Sequence, residues 1–343
     1  MGISEFAKDI ESASSGYRYA VGTKVTGVYS DKIDDYSSAS YYRPVFLEEF
    51  DQAEIDTTLW NVSNFVESNA RDIVDENGNI IYDGIVDDPK ITPDEGVGHN
   101  WVRARSAKDT YLKDGKLIIN GRYSKEHEMF YGGWLSTRKQ MKFLYGYAEI
   151  SCITAHGNSL WSAMWMEPTE NNTGLFKPEI DVNECFGNAR HTAFNMHTWP
   201  TTTGGNLGFE HYSLDGRYSN QKRADAGVGK TFNDGFHTFG CLWTADGCKF
   251  TVDGAVYYEY SFDPSSEYYN ADIDAFHEEL SLIVAMTVGK DAAGDDPILG
   301  ADYWNTSNQF IVDYVHIYQI DGQNISYNLR DAVEIDRTDL GEK

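Results

Sequence analysis

The sequence of 343 residues is long enough for two average domains, although a β-sandwich of about 200–250 residues often forms a single domain. It is 41% hydrophobic and 24% charged, a composition typical of globular proteins. It carries 28 Lys and Arg against 54 Asp and Glu, a formal net charge of −26. Nucleic acids and anionic membrane surfaces are bound by basic patches, so this balance argues against both as partners.

Three regions follow from the composition along the chain. Residues 1–43 are rich in Ser, Tyr and Asp without sustained periodicity, which predicts an N-terminal extension or linker. We expect residues 44–322 to form one folded domain and residues 323–343 to form a C-terminal tail. No apolar run reaches about 18 residues, so we predict no membrane span. The start of the chain, Met1–Glu5, lacks the basic and apolar regions of a secretory signal.

From Val45 onward, short β-type runs are separated by turn pairs. Three Asp-Gly pairs predict hairpins, because Asp-Gly tolerates the positive φ values of a type I′ turn; they are Asp114-Gly115, Asp246-Gly247 and Asp253-Gly254. The predicted strands include Gly115–Ile119, Tyr145–Ile153, Lys249–Val252 and Phe310–Tyr318. Helix signals are weak apart from a turn near Asp272–Leu280. This pattern predicts an all-β protein, an antiparallel sandwich or jelly roll.

Four cysteines are too few for a disulfide scaffold. If Asp246-Gly247 is a two-residue turn, Ala245 pairs with Cys248, and Cys241 is then out of register for a disulfide bond. We therefore expect mostly free, buried thiols.

The segment Glu179–Glu184 places three acids in one predicted strand. Glu179 and Asp181 share a face by the period of two, whereas Glu184 would point the other way in a regular strand. A one-residue β-bulge at Val182 or Asn183 would return Glu184 to that face. Retaining glycosidases hold two carboxyl groups roughly 5–5.5 Å apart, as a nucleophile and a proton donor. A calcium site or a solvated acidic edge explains the spacing equally well.

Tryptophans precede this strand. Trp161 and Trp165 are four residues apart and so lie on one face of a strand, and Trp134 follows a Gly-Gly pair. Trp rings offer flat apolar faces on which sugars can stack. The alternative is that they belong to the sandwich core, and for Trp165 both interpretations stay open.

These residues together resemble glycoside hydrolase family 16. Glu179–Glu184 resembles its ExDxxE signature, in the bulged form of laminarinases, agarases, porphyranases and κ-carrageenases. Further segments resemble the family in the family's order over roughly residues 44–320; they are Val45–Phe50, Trp134–Arg138, Phe143–Glu149, Leu160–Met166, Phe236–Trp243, Val252–Gly254 and Val312–Tyr318. Ser162 stands where the family usually has Pro.

The resemblance implies a β-jelly-roll sandwich of two antiparallel sheets with a concave substrate cleft, and a retaining double displacement. By position, Glu179 is the nucleophile, Glu184 the acid/base and Asp181 the residue that tunes both. Arg138, Trp134 and Trp161 are implied substrate contacts. These catalytic roles require no cofactor.

Two further site assignments follow from the resemblance. His197 lies on the next strand and could reach the acid/base side, although a buried, satisfied histidine fits as well. A structural calcium ion is implied, with Asp313 as side-chain ligand, Gly115 through its carbonyl and an acid near Glu49. Asp313 could equally be a turn acid.

The substrate is less well defined. Leu282–Lys290 resembles the corresponding stretch of laminarinase-like β-glucanases, which favours a 1,3- or mixed 1,3-1,4-β-glucan. Ser162 and Lys177-Pro178 depart from that pattern, and insertions at Ile73–Val97 and Thr201–Gly229 could reshape the cleft for a galactan of the agar, porphyran or carrageenan type. A non-catalytic carbohydrate-binding jelly roll and a glycan transglycosylase are also compatible with the sequence.

A polysaccharide partner implies a secreted, cell-surface or periplasmic protein. We expect it to be a monomer.

Overall fold

A computed structural model describes much of the chain. The described residues are 17–18, 42–62, 65–68, 102–105, 107–124, 129–138, 140–157, 160–168, 174–187, 189–214, 222–288 and 308–320. The predicted C-terminal tail and the insertion Ile73–Val97 lie outside them.

The described elements are mainly strands. They are β1 (Tyr17–Arg18), β2 (Tyr42–Glu48), β3 (Asn61–Val62), β4 (Phe65–Ser68), β5 (Val102–Arg105), β6 (Thr110–Lys113), β7 (Lys116–Asn120), β8 (Arg122–Ser124), β9 (Met129–Ser136), β10 (Gly146–Ile153), β11 (Leu160–Glu167), β12 (Phe176–Phe186), β13 (His191–Pro200), β14 (Tyr212–Ser213), β15 (Arg223–Asp225), β16 (His237–Thr244), β17 (Gly247–Val252), β18 (Ala255–Ser261), β19 (Ser281–Val288) and β20 (Gln309–Ile320). Two short helices are α1 (Thr202–Asn206) and α2 (Tyr269–Ala275), the latter at the predicted helical turn.

The strands form two sheets, which confirms the predicted jelly-roll sandwich. Sheet A has the order β1-β2-β20-β10-β16-β17-β18, with β7 and β6 attached at β20. Sheet B has the order β14-β13-β12-β11-β19-β9-β5-β4, with β15 attached at β13 and with β3 and β8 at β9. Pairing is antiparallel except between β5 and β9, which run parallel.

The hydrophobic core lies between the two sheets, and alternate residues of the central strands fill it. From sheet B, Ile180 and Val182 of β12 and Val284 of β19 are fully buried there, and Trp243 of β16 belongs to the same cluster from sheet A. Each such apolar side chain contributes about 1.5–3 kcal/mol when it leaves water. Phe176 and Cys185 of β12 belong to the same core cluster, whereas Glu179, Asp181 and Glu184 do not.

Two of the predicted Asp-Gly turns are confirmed. Asp114 and Gly115 have φ of 53° and 69°, and Asp253 and Gly254 have φ of 49° and 73°, so both residues of each pair adopt the positive φ of a type I′ turn. Lys113 pairs with Lys116 across the first turn, and Val252 pairs with Ala255 across the second.

The third predicted turn is wrong by one residue, because Gly247 already belongs to β17. It pairs with Thr244, so Ala245 and Asp246 form the turn. Cys248 therefore pairs with Trp243 and not with Ala245, and Cys241 pairs with Phe250. The conclusion drawn for the thiols nevertheless holds, since all four cysteines are free and buried.

The predicted N-terminal extension is described only at two places. Tyr17 and Arg18 pair with Glu48 and Leu47 and form an edge strand of sheet A. Strand β2 begins at Tyr42, two residues before the predicted start of the domain. Among the described residues, no helix is long and apolar enough to cross a membrane.

Candidate active site

Strand β12 carries the predicted bulge. Asp181 pairs with Asn195 of β13 and Glu184 pairs with Ala193, so Val182 and Asn183 lie opposite a single residue of β13. The register also shifts against β11, where Met164 pairs with Asn183 and Trp165 with Asp181. Asn183 is buried, and its Oδ1 accepts a hydrogen bond from the Met164 backbone N–H at 3.1 Å. The bulge predicted from the acid spacing is therefore confirmed.

The bulge gives β12 two distinct faces. Ile180, Val182 and Cys185 pack in the core. Glu179, Asp181 and Glu184 lie on the opposite side, which we call the open face of sheet B. Asp181 is 4% exposed, and Glu179 and Glu184 are half-buried. Acids withdrawn from water to this degree do not form a solvated edge.

The predicted tryptophans lie on the same open face. Trp165 pairs with Asp181, and Trp134 of β9 pairs with Ala285 of β19. The rings of Trp134 and Trp165 meet edge to face with centroids 4.8 Å apart, and Trp161 contacts Phe186 at 5.1 Å. All three tryptophans are half-buried and lie outside the core cluster. Trp165 therefore belongs to the open face and not to the sandwich core.

The Glu179 carboxyl has a perturbed pKa. Burial is the main cause and, together with the negative charge of Asp181, raises the pKa to about 7. Smaller opposing effects come from His197, from Lys177 and from a hydrogen bond that Trp199 Nε1 donates to Glu179 Oε2 at 3.1 Å. Two carboxyl groups in one poorly hydrated place thus make protonation of Glu179 easier than in water.

A fourth acid on the open face was missed by sequence reasoning. Glu167 ends β11 on the open face and is 4% exposed. Its two carboxylate oxygens form ion pairs with Arg138 and with Lys177. The guanidinium of Arg138 also lies over the Trp134 ring at 5.8 Å. Burial lowers the pKa of both cations, and the negative charge of Glu179 opposes that effect. Arg138 therefore lies at the Glu179 end of β12.

His197 lies directly opposite Glu179 in the β12–β13 ladder. Its Nε2 is 3.1 Å from Asp181 Oδ2 and 3.8 Å from Glu179 Oε1, so these contacts place it at the Glu179 end of β12 and not beside Glu184. The three side chains offer ligand atoms within 4.8 Å of one another, an arrangement that could hold a metal ion. An imidazole ligand suits transition metals better than calcium, which favours oxygen.

The predicted calcium ligands are already engaged. Lys116 Nζ lies 2.8 Å from Asp313 Oδ1 and 3.0 Å from the Gly115 carbonyl oxygen, so an ammonium bridges these two. Glu49 Oε1 contacts His316 Nε2 at 2.9 Å. In this arrangement a side-chain cation holds two of the three oxygens, so calcium could bind there only by displacing the Lys116 ammonium.

Lys177, Trp199 and His211 are further open-face residues to which sequence reasoning gave no role. Lys177 precedes Glu179 by two positions and so shares its face, a signal that the period of two could have supplied. Trp199 follows His197 by two positions in β13 and so shares its face. His211 comes from the predicted insertion Thr201–Gly229, of which the described parts contribute α1, β14 and β15 beside β13.

Known proteins with related sequences cover part of this chain. It is 24% identical over 235 residues to a glucan endo-1,3-beta-glucosidase A1 of Niallia circulans, covering 62% of this chain and 31% of that protein. It is 25% identical over 207 residues to a beta-1,3-glucan-binding protein of Penaeus monodon, covering 52% of this chain and 55% of that protein. The chain thus matches about a third and about half of the length of these two relatives.

Solved structures share the fold. The catalytic domain of an endo-1,3-beta-glucanase (laminarinase) from Thermotoga petrophila superposes with a TM-score of 0.57 at 20% identity, covering 82% of this chain and 99% of that one. At this identity the likeness concerns the fold alone. The family model for glycosyl hydrolases family 16 matches residues 100–298, more than half of the chain and including the whole of β12. The chain belongs to glycosyl hydrolases family 16.

Proposed function

We propose that the protein is a retaining endo-hydrolase of a β-linked polysaccharide, with a 1,3- or mixed 1,3-1,4-β-glucan as substrate. One observation carries the reaction: the bulge in β12 presents Glu179, Asp181 and Glu184 on the open face of sheet B. The names of the relatives from Niallia circulans and of an endo-1,3-1,4-beta-glycanase from Rhizobium meliloti support the substrate class. Trp134, Trp161 and Trp165 supply flat rings on the same face for a neutral sugar chain.

In the proposed reaction, the Glu179 carboxylate attacks the anomeric carbon while the glycosidic C–O bond breaks. Glu184 gives its proton to the leaving oxygen, and a glycosyl-enzyme ester forms. In the second half, Glu184 takes a proton from water, the water oxygen bonds to the anomeric carbon, and Glu179 leaves as a carboxylate. Asp181 lies between Glu179 and Glu184, and its negative charge influences which of the two carries the proton. Carboxylates and water suffice for this sequence, so it requires no cofactor.

The test measures reducing ends released from laminarin, barley β-glucan, agarose, porphyran and carrageenan, with sizing of the products. We expect laminarin or barley β-glucan to yield mixed oligosaccharides, with the β-anomer formed first, and Glu179→Gln and Glu184→Gln to abolish release while binding persists. Cleavage confined to agarose, porphyran or carrageenan would move the substrate to a galactan. Full activity of either variant would falsify the catalytic assignment.

A binding protein without hydrolysis is the second candidate, because one relative is named a beta-1,3-glucan-binding protein. Charged carboxylates that repel one another add little to the binding of a neutral sugar, which disfavours this candidate. It predicts laminarin binding by the wild type with no reducing-end release from any of the five polysaccharides. A transglycosylase would instead form products longer than the oligosaccharide supplied.

We also propose a cellular location, an oligomeric state and a structural metal ion. A polysaccharide substrate implies a secreted, cell-surface or periplasmic location. We expect a monomer, which light scattering after size exclusion tests. A structural calcium ion at Gly115 and Asp313 requires the metal to displace the Lys116 ammonium.

A further inference from the structure

A chain of side-chain contacts borders Glu179, the proposed nucleophile, on its β13 side. Trp199 Nε1 donates to Glu179 Oε2 at 3.1 Å, and the Trp199 ring lies flat against the His211 imidazole, with centroids 3.5 Å apart and planes 5° apart. His211 Nε2 is 2.9 Å from His197 Nδ1, and His197 Nε2 is 3.1 Å from Asp181 Oδ2. Trp199 and His211 thus connect the two acids of β12 through side chains of β13 and the segment before β14.

The backbone places these rings together. His197 pairs with Ser213 and Thr198 with Tyr212 in the β13–β14 ladder, so His211 comes next to Trp199 in the same register. Directly opposed residues of antiparallel strands have neighbouring side chains, which explains the stack. Core packing does not explain it, because Trp199 is 37% exposed and His211 is exposed.

The donor and acceptor properties of the rings limit what each contact can do. An indole N–H is a donor only, so Trp199 can hold Glu179 Oε2 but cannot exchange a proton with it. The other oxygen, Oε1, stays outside this bond. One hydrogen lies between His197 Nδ1 and His211 Nε2, so the tautomer of His211 determines whether His197 Nδ1 donates or accepts. It thereby determines whether a neutral His197 carries its own hydrogen on Nε2, which faces Asp181.

We propose that Trp199 and His211 are positioning residues of the nucleophile: Trp199 holds the oxygen of Glu179 that does not attack, and His211 holds Trp199 and His197 in place. The inference rests on the proposed function. In the first half of the reaction, Oε1 bonds to the anomeric carbon and the ester carbonyl is Oε2. In the second half, the Oε1–carbon bond breaks and its electron pair returns to the carboxylate. The Trp199 hydrogen bond strengthens as that negative charge returns, so it assists departure of Glu179.

The first test replaces the indole by a ring without a donor, Trp199→Phe. The probe is an aryl β-laminaribioside, from which the aryl group is released in the first half of the reaction. We expect kcat to fall about 10- to 100-fold, the effect of losing a hydrogen bond to a charged group. Because the second half is the slowed one, aryl release should show a pre-steady-state burst and KM should fall with kcat.

A second readout is the pH profile. The charged and titratable groups on the same face as Glu179 include Lys177, Asp181 and Glu184 on β12, Glu167 on β11, Arg138 after β9, His197 on β13 and His211 before β14. With the donor removed, protonation of Glu179 is easier, so the acid limb of kcat/KM should move to higher pH in Trp199→Phe. A role in folding alone would not move this limb.

The two functions of His211 are separated by two variants. His211→Phe keeps a flat ring against Trp199 but removes the hydrogen bond to His197, whereas His211→Ala removes both. We expect a smaller loss of kcat in His211→Phe than in His211→Ala, and a burst in His211→Ala. The matched control is His156→Phe, an exposed histidine that follows β10.

The outcomes separate this inference from the proposed function. If the wild type cleaves none of the five polysaccharides, or Glu179→Gln remains active, the proposed function fails. If the wild type is active and Glu179→Gln is not, while Trp199→Phe and His211→Ala show wild-type kcat and pH profiles, the inference alone is overturned. A raised KM with unchanged kcat in Trp199→Phe also overturns it, because Trp199 would then be a sugar platform.

Discussion

Asn183 Oδ1 accepts a hydrogen bond from the Met164 backbone N–H at 3.1 Å, at the point where β12 carries its extra residue. The shift in register deprives the ladder between β11 and β12 of regular partners there, and the side chain of Asn183 supplies one. Because Glu184 directly follows Asn183, the same bond fixes the direction in which the proposed acid/base leaves the strand. Asn183, whose amide stabilises the strand pairing, thus lies in the sequence between Asp181 and Glu184, the residues with proposed chemical roles.

Asn183→Ala should therefore lower both the stability of the protein and its catalytic rate. The buried Met164 N–H would lose its acceptor, which costs about 1–3 kcal/mol, and Glu184 would lose its alignment, so kcat should fall. Urea unfolding and initial rates on laminarin measure the two effects. The control is Asn206→Ala, at an exposed position that ends α1. Equal unfolding free energies for the two variants would contradict this role of Asn183.

The raised pKa of Glu179, about 7, predicts the acid limb of the pH profile. Only the ionised carboxyl is a nucleophile, so kcat/KM should rise as pH rises through about 7. Lys177 lowers this pKa, and Lys177→Met should therefore shift the limb to higher pH. Lys249→Met is the control, since that ammonium pairs with Glu259 on sheet A. If the acid limb of Lys177→Met stays in place or moves to lower pH, the result contradicts the assignment of this limb to Glu179.

Glu167→Gln removes the carboxylate that Arg138 and Lys177 share. The side chain of Glu167 is 6% exposed, whereas those of its partners are 35% and 38% exposed. Water therefore screens part of the lost interaction, and we expect a loss of about 1–3 kcal/mol in unfolding free energy, below the range for a fully buried pair. The double variant Glu167→Gln/Lys177→Met should recover part of the loss, because one unpaired cation is gone. Additive effects in the double-mutant cycle would refute the coupling.

The buried carboxyl of Glu149 should make the stability of the folded protein depend on pH. Tyr147 and Tyr314 each donate a hydrogen bond to it, at 2.8 and 2.9 Å, and burial raises its pKa from 4.5 to about 7. Between these values the folded state keeps a proton that the unfolded state has lost. Stability should therefore fall as pH rises through this window, by up to about 3 kcal/mol.

Urea unfolding at pH 5, 6, 7 and 8 tests that sign. Glu149→Gln should flatten the slope without abolishing it, because Glu48, whose pKa burial raises to about 8, contributes in the same direction. Glu259→Gln, at an exposed carboxyl on β18, serves as the control. Stability that increases from pH 5 to pH 8 would show that other groups outweigh these two.

The calcium proposal has its own test at Lys116. The metal must compete with an ammonium for Gly115 and Asp313, so Lys116→Met should bind calcium more tightly than the wild type. The measurement is the rise in Tm on exchange of EDTA for calcium. If neither protein responds, calcium does not bind there.

Local signals in the sequence predicted the parts of the fold that depend on neighbouring residues. The Asp-Gly turns at 114 and 253 and the bulge after Asp181 are of this kind, because φ preference and the period of two act over a few positions. The turn at Asp246-Gly247 was misplaced by one residue, since Gly247 also has a positive φ, 145°, but within a strand pair. There, pairing with Thr244 outweighed the local preference.

The candidate site was predicted along β12 but not across the sheet. Glu167, Trp199 and His211 come from three other segments, and only the strand order brings them to Glu179. Sequence spacing contains no information about which strands are neighbours. These three partners were therefore missed, whereas Arg138 and His197 were named because of the family resemblance.

The carboxylate of Glu167 has a consequence for protein engineering. It cancels charge at the one edge of the open face where Arg138 and Lys177 meet. Replacement by a neutral side chain of similar size would unmask two cations next to the reaction centre. That single substitution is a starting point for redirecting the proposed site from neutral glycans toward chains that contain uronic acids or sulfate esters.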